Sequence, residues 1–326
     1  MRAALYERTG PAREVLRVEE VPDPQPAAGE VRVRIRVSGV NPSDLRFRSG
    51  SNGVPMAFAR QTPGQDGAGV IDEVGPGVDQ SRVGERVWVY HAAFGRPGGS
   101  AAHYAVVPAD QAVPLPPGTS LDQGAGLGIP YLTAHRALTS DGPLDGKVVL
   151  VAGGAGAVGN ASIQLAKRAG AVVISTVSTR AKAQLARAAG SDHVVVDYRR
   201  PDAAEEIRAY SPKGVDRIVE VAPATNLGLD LDVLANGGDI VVYAAEAQPF
   251  APPVQRLMIQ NVRLSFLLVY TTQPEALQAA VRDVTAALHE QALIPLPVHR
   301  YPLTDIAAAH EAVENNTVGK VLVDLD

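Results

Sequence analysis

The sequence predicts an α/β protein in which a doubly wound parallel sheet is inserted into a β-rich domain that the chain leaves and later rejoins. Three observations predict it. Short alternating strands divided by Gly and Pro turns fill residues up to about 117. Strand and helix patterns alternate from about residue 127 onward. The tail, 320–325, reads as a strand and needs a sheet to join. At 326 residues the chain is long for one core, so two domains are expected: 1–126 with 266–326, and 127–265 between them.

Each element has its own warrant. Val31, Val33, Ile35 and Val37 alternate with Arg32, Arg34 and Arg36, as a strand with one buried face should. Segments 69–74, 85–89 and 102–107 continue that pattern, and many short strands with dense turns suggest a barrel-like domain. In the second half, strands are expected at 148–152, 171–176, 193–196, 216–221 and 238–244, with helices at 157–169, 180–189, 202–209 and 227–235. A strand from Arg263 to Tyr270 and a helix from Pro274 to Gln291 follow; then come β character at 297–302, a short helix near 306–314 and the final strand.

The run Val148–Ala152 stops at Gly153, Gly154, Gly156 and Gly159 and passes straight into a helical pattern. Strand, glycine turn and helix in that order form a cradle in which the backbone approaches a pyrophosphate facing free helix N–H groups. The alternative is a tight strand–helix turn that binds nothing. The next strand ends near where an adenosine ribose would lie, and its tip carries Ser178, Thr179, Arg180 and Lys182, with no acid before Asp192. An Asp or Glu there would accept a ribose 2′-hydroxyl, whereas hydroxyls and two cations suit a 2′-phosphate. NADPH is therefore expected over NADH; the alternative is that Arg180 and Lys182 are ordinary solvated charges.

Composition narrows the function. Net charge is −5 with no basic stripe, so nucleic acid is not an expected partner. No apolar run approaches the ~20 residues that span a bilayer, and residues 1–7 lack a signal-peptide core, so a cytoplasmic address is expected. Cysteine is absent, which removes disulfides, thiolate nucleophiles and cysteine-based zinc sites, and the 7 histidines form no close pair at ligand spacing.

Several segments carry a family resemblance. Gly64, Gln65, Asp66, Gly67, Ala68 and Gly69, continuing to Gly75, resemble the glycine-rich signature of the medium-chain dehydrogenases/reductases. Residues 128–138 resemble the helix that precedes their nucleotide domain. Gly39, Val40, Asn41 and Pro42, then Gln164 to Lys167 and Val318 to Val321, are similar to the zinc-free, ζ-crystallin-like quinone oxidoreductases. The resemblance runs nearly the whole length. It implies a GroES-like catalytic domain around a Rossmann domain, NADPH as reductant, a small-molecule acceptor, and a homodimer or dimer of dimers joined through the nucleotide domains. Zinc-dependent members carry His where Gln65 stands, so no metal is expected.

Site residues follow from the same resemblance. Asn41 and Asp44 face the active-site cleft in relatives, with Asn41 the candidate for polarising a substrate carbonyl; Asn41-Pro42-Ser43-Asp44 is equally a turn and helix cap. Arg46 and Phe47 occupy the place where many relatives put a tyrosine near the nicotinamide, so Arg46 counts as a cofactor candidate and the proton donor is left open. Tyr131 is a second catalytic candidate, or core packing. Ala155, Gly156, Ala157 and Val158 are assigned to the pyrophosphate, and Ser178, Arg180, Lys182 and Tyr198 to the 2′-phosphate end. Asn226 and Val242, Tyr243, Ala244 and Ala245 lie in loops after the fourth and fifth strands, at the carboxyl edge where such sheets bind ligands. Phe266, Leu267 and Leu268 pass the nicotinamide with their backbone, and the apolar run to Tyr270 also suits an edge strand pairing across a dimer. Lys320 is placed at the cofactor mouth, or else is surface charge.

Lack of a metal bears on the acceptor. A simple ketone reduced without a Lewis acid leaves a poorly stabilised alkoxide. Hydride addition to a quinone or enone spreads the charge over a phenolate or enolate, for which a few hydrogen-bond donors suffice. A quinone is the expected acceptor, with α,β-unsaturated aldehydes, ketones or thioesters as rivals. An NADPH-binding structural or RNA-binding crystallin-like role is the alternative from another class.

Overall fold

Strand β1 (Arg2–Leu5) pairs antiparallel with β2 (Arg17–Glu20), and a single helical turn, α1 (Ala12–Val15), lies between them in sequence. Strand β3 (Glu30–Gly39) realises the alternation: Val31, Val33 and Ile35 are buried, while Arg32, Arg34 and Arg36 point away from the core. Helix α2 (Pro42–Ser49) follows at once, with Pro42 in its first turn. Strand β4 (Asp66–Val74) runs antiparallel to β3 with Gly69 opposite Ile35 and Asp66 opposite Gly39. A Cβ on Gly69 would stand 2.0 Å from the Arg34 carbonyl oxygen, so the crossing requires glycine. Strands β5 (Arg86–Val89), β6 (Tyr104–Pro108) and β7 (Ala112–Pro114) extend this sheet, and helices α3 (Leu121–Ala125) and α4 (Gly128–Thr139) end the first stretch.

Beyond α4 the period of the sequence changes and the elements alternate. They are β8 (Val148–Ala152), α5 (Ala157–Arg168), β9 (Val172–Val177), α6 (Arg180–Ala188), β10 (His193–Val196), α7 (Ala203–Tyr210), β11 (Val215–Glu220), α8 (Pro223–Val233), β12 (Leu234–Val242), α9 (Val254–Ile259), β13 (Arg263–Phe266) and α10 (Pro274–His289). The six strands form one sheet in the order β10-β9-β8-β11-β12-β13, with every pairing parallel. Strand order reverses between β8 and β11, the switch point of a doubly wound sheet. Valine, isoleucine and leucine fill these strands because both faces are covered. The chain then returns through β14 (Val298–Pro302), α11 (Ile306–Glu314) and β15 (Lys320–Asp324); β15 pairs antiparallel with β3, with Leu322 opposite Gly39.

This computed structural model describes all residues except Asn52, Ala247 and Asp326. They group into two units, Met1–Ile129 with Pro297–Asp326, and Pro130–Leu296. The return to the outer unit thus lies near residue 297, later than the expected 266. Segment 266–296 is held by the nucleotide unit itself: β13 pairs with β12, His135 Nε2 meets Asp283 Oδ2 at 2.7 Å, and the Ile294 amide donates to Gln164 Oε1 at 2.6 Å. The strand expected from Arg263 to Tyr270 stops at Phe266, because its partner β12 ends at Val242, opposite Phe266. Helix α8 begins at Pro223, four residues before the expected 227, with proline in its first turn. Among the described residues no helix is long and apolar enough to cross a membrane.

Candidate active site

Two residue groups carry the chemistry, one in each unit. In the outer unit Asn41 caps α2: its backbone amide donates to Asp44 Oδ2 at 2.8 Å. The side chain does more. Asn41 Nδ2 donates to Asp66 Oδ2 at 2.8 Å, and Lys320 Nζ donates to Asn41 Oδ1 at 2.7 Å. Lys320 also reaches the Val40 carbonyl at 3.3 Å and stands 3.9 Å from Asp66. The first-turn amide of α4, Ile129 N, donates to both Asp66 oxygens at 2.9 and 3.0 Å.

This cluster is dry. Asp66 is 0 % and Lys320 7 % exposed, and Asn41 and Asp44 are buried with them. Burial pushes the Asp44 carboxyl up to about 7, against the pull of the Asn41 amide, and the Asp66 charge adds to the rise. Burial likewise raises Asp66 to about 6, against the attraction of Lys320. The Lys320 ammonium is lowered by burial and supported by Asp66 and Asp44.

Asp66 was missed by sequence reasoning, which saw it only as part of a glycine-rich signature; the available signal was an acid set among the small residues Gly64, Gly67, Ala68 and Gly69. Lys320 was expected at the cofactor mouth. It is no surface charge: the structure buries it on Asn41 and Asp66, because β15 lies beside β3 and the side chain finds its counter-charge there. Arg46 sits half-buried on α2.

In the nucleotide unit one edge of the sheet collects nearly all the remaining candidates. Parallel pairing sends every strand's carboxyl end to the same side. After β8, Gly153 turns with φ +70°, Gly154 N donates to Thr176 O at 3.0 Å, and Gly156 N donates to Gly153 O at 2.9 Å. A Cβ on Gly159 would lie 2.3 Å from the Gly153 oxygen, so small residues keep this turn closed. Asn160 N→Gly156 O, 2.8 Å, is the first bond of α5, so the amides of Ala157, Val158 and Gly159 precede it. Ala155, Gly156, Ala157 and Val158 therefore line a helix N-terminus open to an anion, and the cradle fits a pyrophosphate.

Beside it, Ser178 follows β9, and Thr179 caps α6 by accepting from Lys182 N at 3.3 Å. Lys182 Nζ returns to Ser178 Oγ at 3.2 Å, so the two residues stand together; Arg180 is exposed on the same turn. Strand β10 runs alongside, Asp197 N bonding Val177 O at 2.8 Å, which brings Tyr198 to this corner. The Arg199 guanidinium lies 5.8 Å from the Tyr198 ring centroid. Further along the edge, Asn226 Nδ2 donates to Glu220 Oε1 at 2.9 Å, and Tyr243 N donates to Glu220 O at 3.1 Å. Val242 accepts the Leu267 amide at 2.8 Å. Ala244 and Ala245 follow Tyr243, and Phe266 and Leu268 are exposed on either side of half-buried Leu267.

Tyr131 is buried on α4. Its hydroxyl accepts from Gln164 Nε2 at 3.3 Å within the nucleotide unit, and burial pushes the phenol up to about 12.

Two family models match the chain: "Alcohol dehydrogenase GroES-like domain" over residues 27–117 and "Zinc-binding dehydrogenase" over residues 157–286. A quinone oxidoreductase of Rattus norvegicus is 32 % identical over 324 residues, covering 98 % of this chain and 96 % of that one. A 2-haloacrylate reductase of a Burkholderia species is 30 % identical over 338 residues, covering 99 % and 98 %. The solved structure of a mycobacterial protein complexed with NADPH is 32 % identical, with a TM-score of 0.87 and 100 % of both chains covered. The donors here do not fit the zinc of the second model's description. The chain has no cysteine, and among the described residues no group of three or more His, Asp or Glu could hold a metal. Asp66 is committed to Asn41, Ile129 and Lys320.

Replacing Lys320 by Met tests the cluster. Without its cation the Asp66 carboxyl rises further, and a raised carboxyl stabilises the fold below its ordinary range and loses that contribution as pH climbs. Lys320→Met should therefore cost more stability at about pH 8 than at about pH 5, measured by urea unfolding. A loss independent of pH refutes the pairing.

Proposed function

Because this chain belongs to the quinone oxidoreductase family of medium-chain dehydrogenases/reductases, we propose that it reduces quinones with NADPH and without a metal ion. The observation that carries the cofactor choice is Lys182 Nζ on Ser178 Oγ at 3.2 Å, just past β9. A hydroxyl and an ammonium held together there, with no carboxylate in the turn, recognise a phosphate on the adenosine ribose. The amides of Ala157, Val158 and Gly159 hold the pyrophosphate, and Tyr198 supports the adenosine corner. NADPH supplies the hydride.

In the outer unit Asn41 is held at both ends. One Nδ2 hydrogen points at Asp66 and Lys320 fixes the oxygen, which leaves the second Nδ2 hydrogen in a set direction for a substrate oxygen. A single fixed amide donor is modest stabilisation, enough for a quinone whose incoming charge becomes a phenolate and too little for an alkoxide. Asp44, whose carboxyl is raised to about 7 and accepts the Asn41 backbone amide, is a group of this cluster able to exchange a proton at physiological pH. A second reading is reduction of an α,β-unsaturated carbonyl or carboxylate, favoured by the similarity to a 2-haloacrylate reductase. The protein assembles as a homodimer through the nucleotide units: β13 is the last strand of its sheet, and Phe266 on it, Leu268 just beyond it, and Val254, Met258 and Ile259 on the preceding α9 are exposed.

Three measurements check these readings. The double variant Arg180→Glu, Lys182→Glu should weaken NADPH at least ~100-fold while NADH changes less than ~3-fold, by fluorescence titration; equal losses remove the 2′-phosphate assignment. Steady-state rates should favour 1,4-benzoquinone over an alkenal and over 2-chloroacrylate, and a reversed order selects the second reading. Leu268→Asp should sediment as a monomer if the β13 edge is the interface, and an unchanged dimer places the contact elsewhere.

A further inference from the structure

Glu220 closes β11 with 0 % exposure, and Asn226 and Asp230, four residues apart on α8, present their side chains to it. Its Oε1 receives two N–H donors, the Ala222 amide and Asn226 Nδ2. The Glu220 and Asp230 carboxyl groups are hydrogen-bonding neighbours, yet Glu220 Oε2 and Asp230 Oδ2 are buried with no N–H or O–H donor. Two adjoining carboxylates cannot both be charged in such a place. A single proton between them satisfies both oxygens.

We infer that Asp230 keeps its proton and donates it to the Glu220 carboxylate, and that this pair fixes the Asn226 amide with Oδ1 as the end offered to the nicotinamide half of the cofactor. The inference rests on the reading that this sheet edge binds NADPH. Glu220 is the charged partner because its Oε1 already accepts two N–H groups. Asp230 Oδ2 has no such donor, and burial and the Glu220 charge hold the group well above the ordinary carboxylate range. Around the pair, Tyr243 on the β12 side carries a phenol raised by burial and by Glu220. Glu246 is occupied at the start of α8, accepting from Ala224 N and Thr225. Of the cations on the flanking helices, Arg208 on α7 donates to the Asp232 and Leu234 carbonyls, and Arg256 on α9 pairs with the Asp232 carboxylate. A carboxylate at Glu220 forces the NH2 end of Asn226 toward itself, so an acceptor remains for a ribose hydroxyl or the carboxamide N–H. Glu220 and Asp230 are thus positioning residues that act through Asn226.

Three readings test this. In infrared spectra of the protein at about pH 8, a protonated carboxyl C=O band should be present and should vanish in Asp230→Asn; a wild type without the band overturns the inference. In Glu220→Gln the amide no longer compels one orientation of Asn226, so the Kd and KM for NADPH should rise about tenfold more than in Asp230→Asn, with kcat changing less. Equal effects in the two variants overturn the assignment of the charge. Wild-type stability should fall as pH rises through the raised Asp230 value, and that fall should disappear in Asp230→Asn; a persisting fall counts against it. If the wild type binds no NADPH in titration, the functional reading fails while the infrared band still decides where the proton sits.

Discussion

Parallel pairing of six strands is the constraint on which the nucleotide unit depends. Each crossover helix returns the chain to the same end of the sheet, so all carboxyl termini gather along one edge. Segments far apart in sequence, Gly153 to Val158, Ser178, Tyr198, Asn226 and Val242 to Ala245, become neighbours through backbone hydrogen bonds alone. The side chains at that edge need only be small, where a phosphate approaches, or polar, where one must be recognised. A single antiparallel strand would send part of the set to the opposite face.

The outer unit works from a different principle. Its four buried polar groups compensate one another: Lys320 offsets Asp66, Asn41 bridges the two, and Asp44, in the first turn of the helix that Asn41 caps, accepts the Asn41 backbone amide. Buried ions are weak evidence of net stability, since desolvation consumes most of the attraction. What such a network confers is orientation. Asn41 cannot rotate its amide without breaking a bond to a carboxylate or to an ammonium, and a fixed donor is what an electrostatic catalyst requires.

Much of this was legible in the sequence, and the exceptions have physical causes. Strands β8 and β10 were placed to the residue because their apolar runs are bounded by glycine or by a change of period. Alternating valine and arginine announced β3. The early start of α8 was obscured because Pro223 reads as a turn as readily as the first turn of a helix. The end of β13 depends on where β12 stops, which no local pattern encodes. Asp66 was overlooked for a similar reason. Its importance comes from Lys320, a partner reached only after the chain has built another entire unit. The partner of the Tyr131 hydroxyl, Gln164 on α5, is likewise set by tertiary packing rather than by any local pattern.

The position of Lys320 on β15 also orders events during synthesis. Residues 130–296 are complete on the ribosome before this strand emerges, whereas the outer unit must wait with one flank of β3 bare and the Asp66 carboxyl lacking its counter-ion. Maturation of the outer unit is therefore gated by a segment translated after the whole nucleotide unit. A nascent chain stalled short of that strand carries a finished nucleotide fold on an open-edged sheet, the kind of surface that chaperones recognise and that aggregates when they are absent.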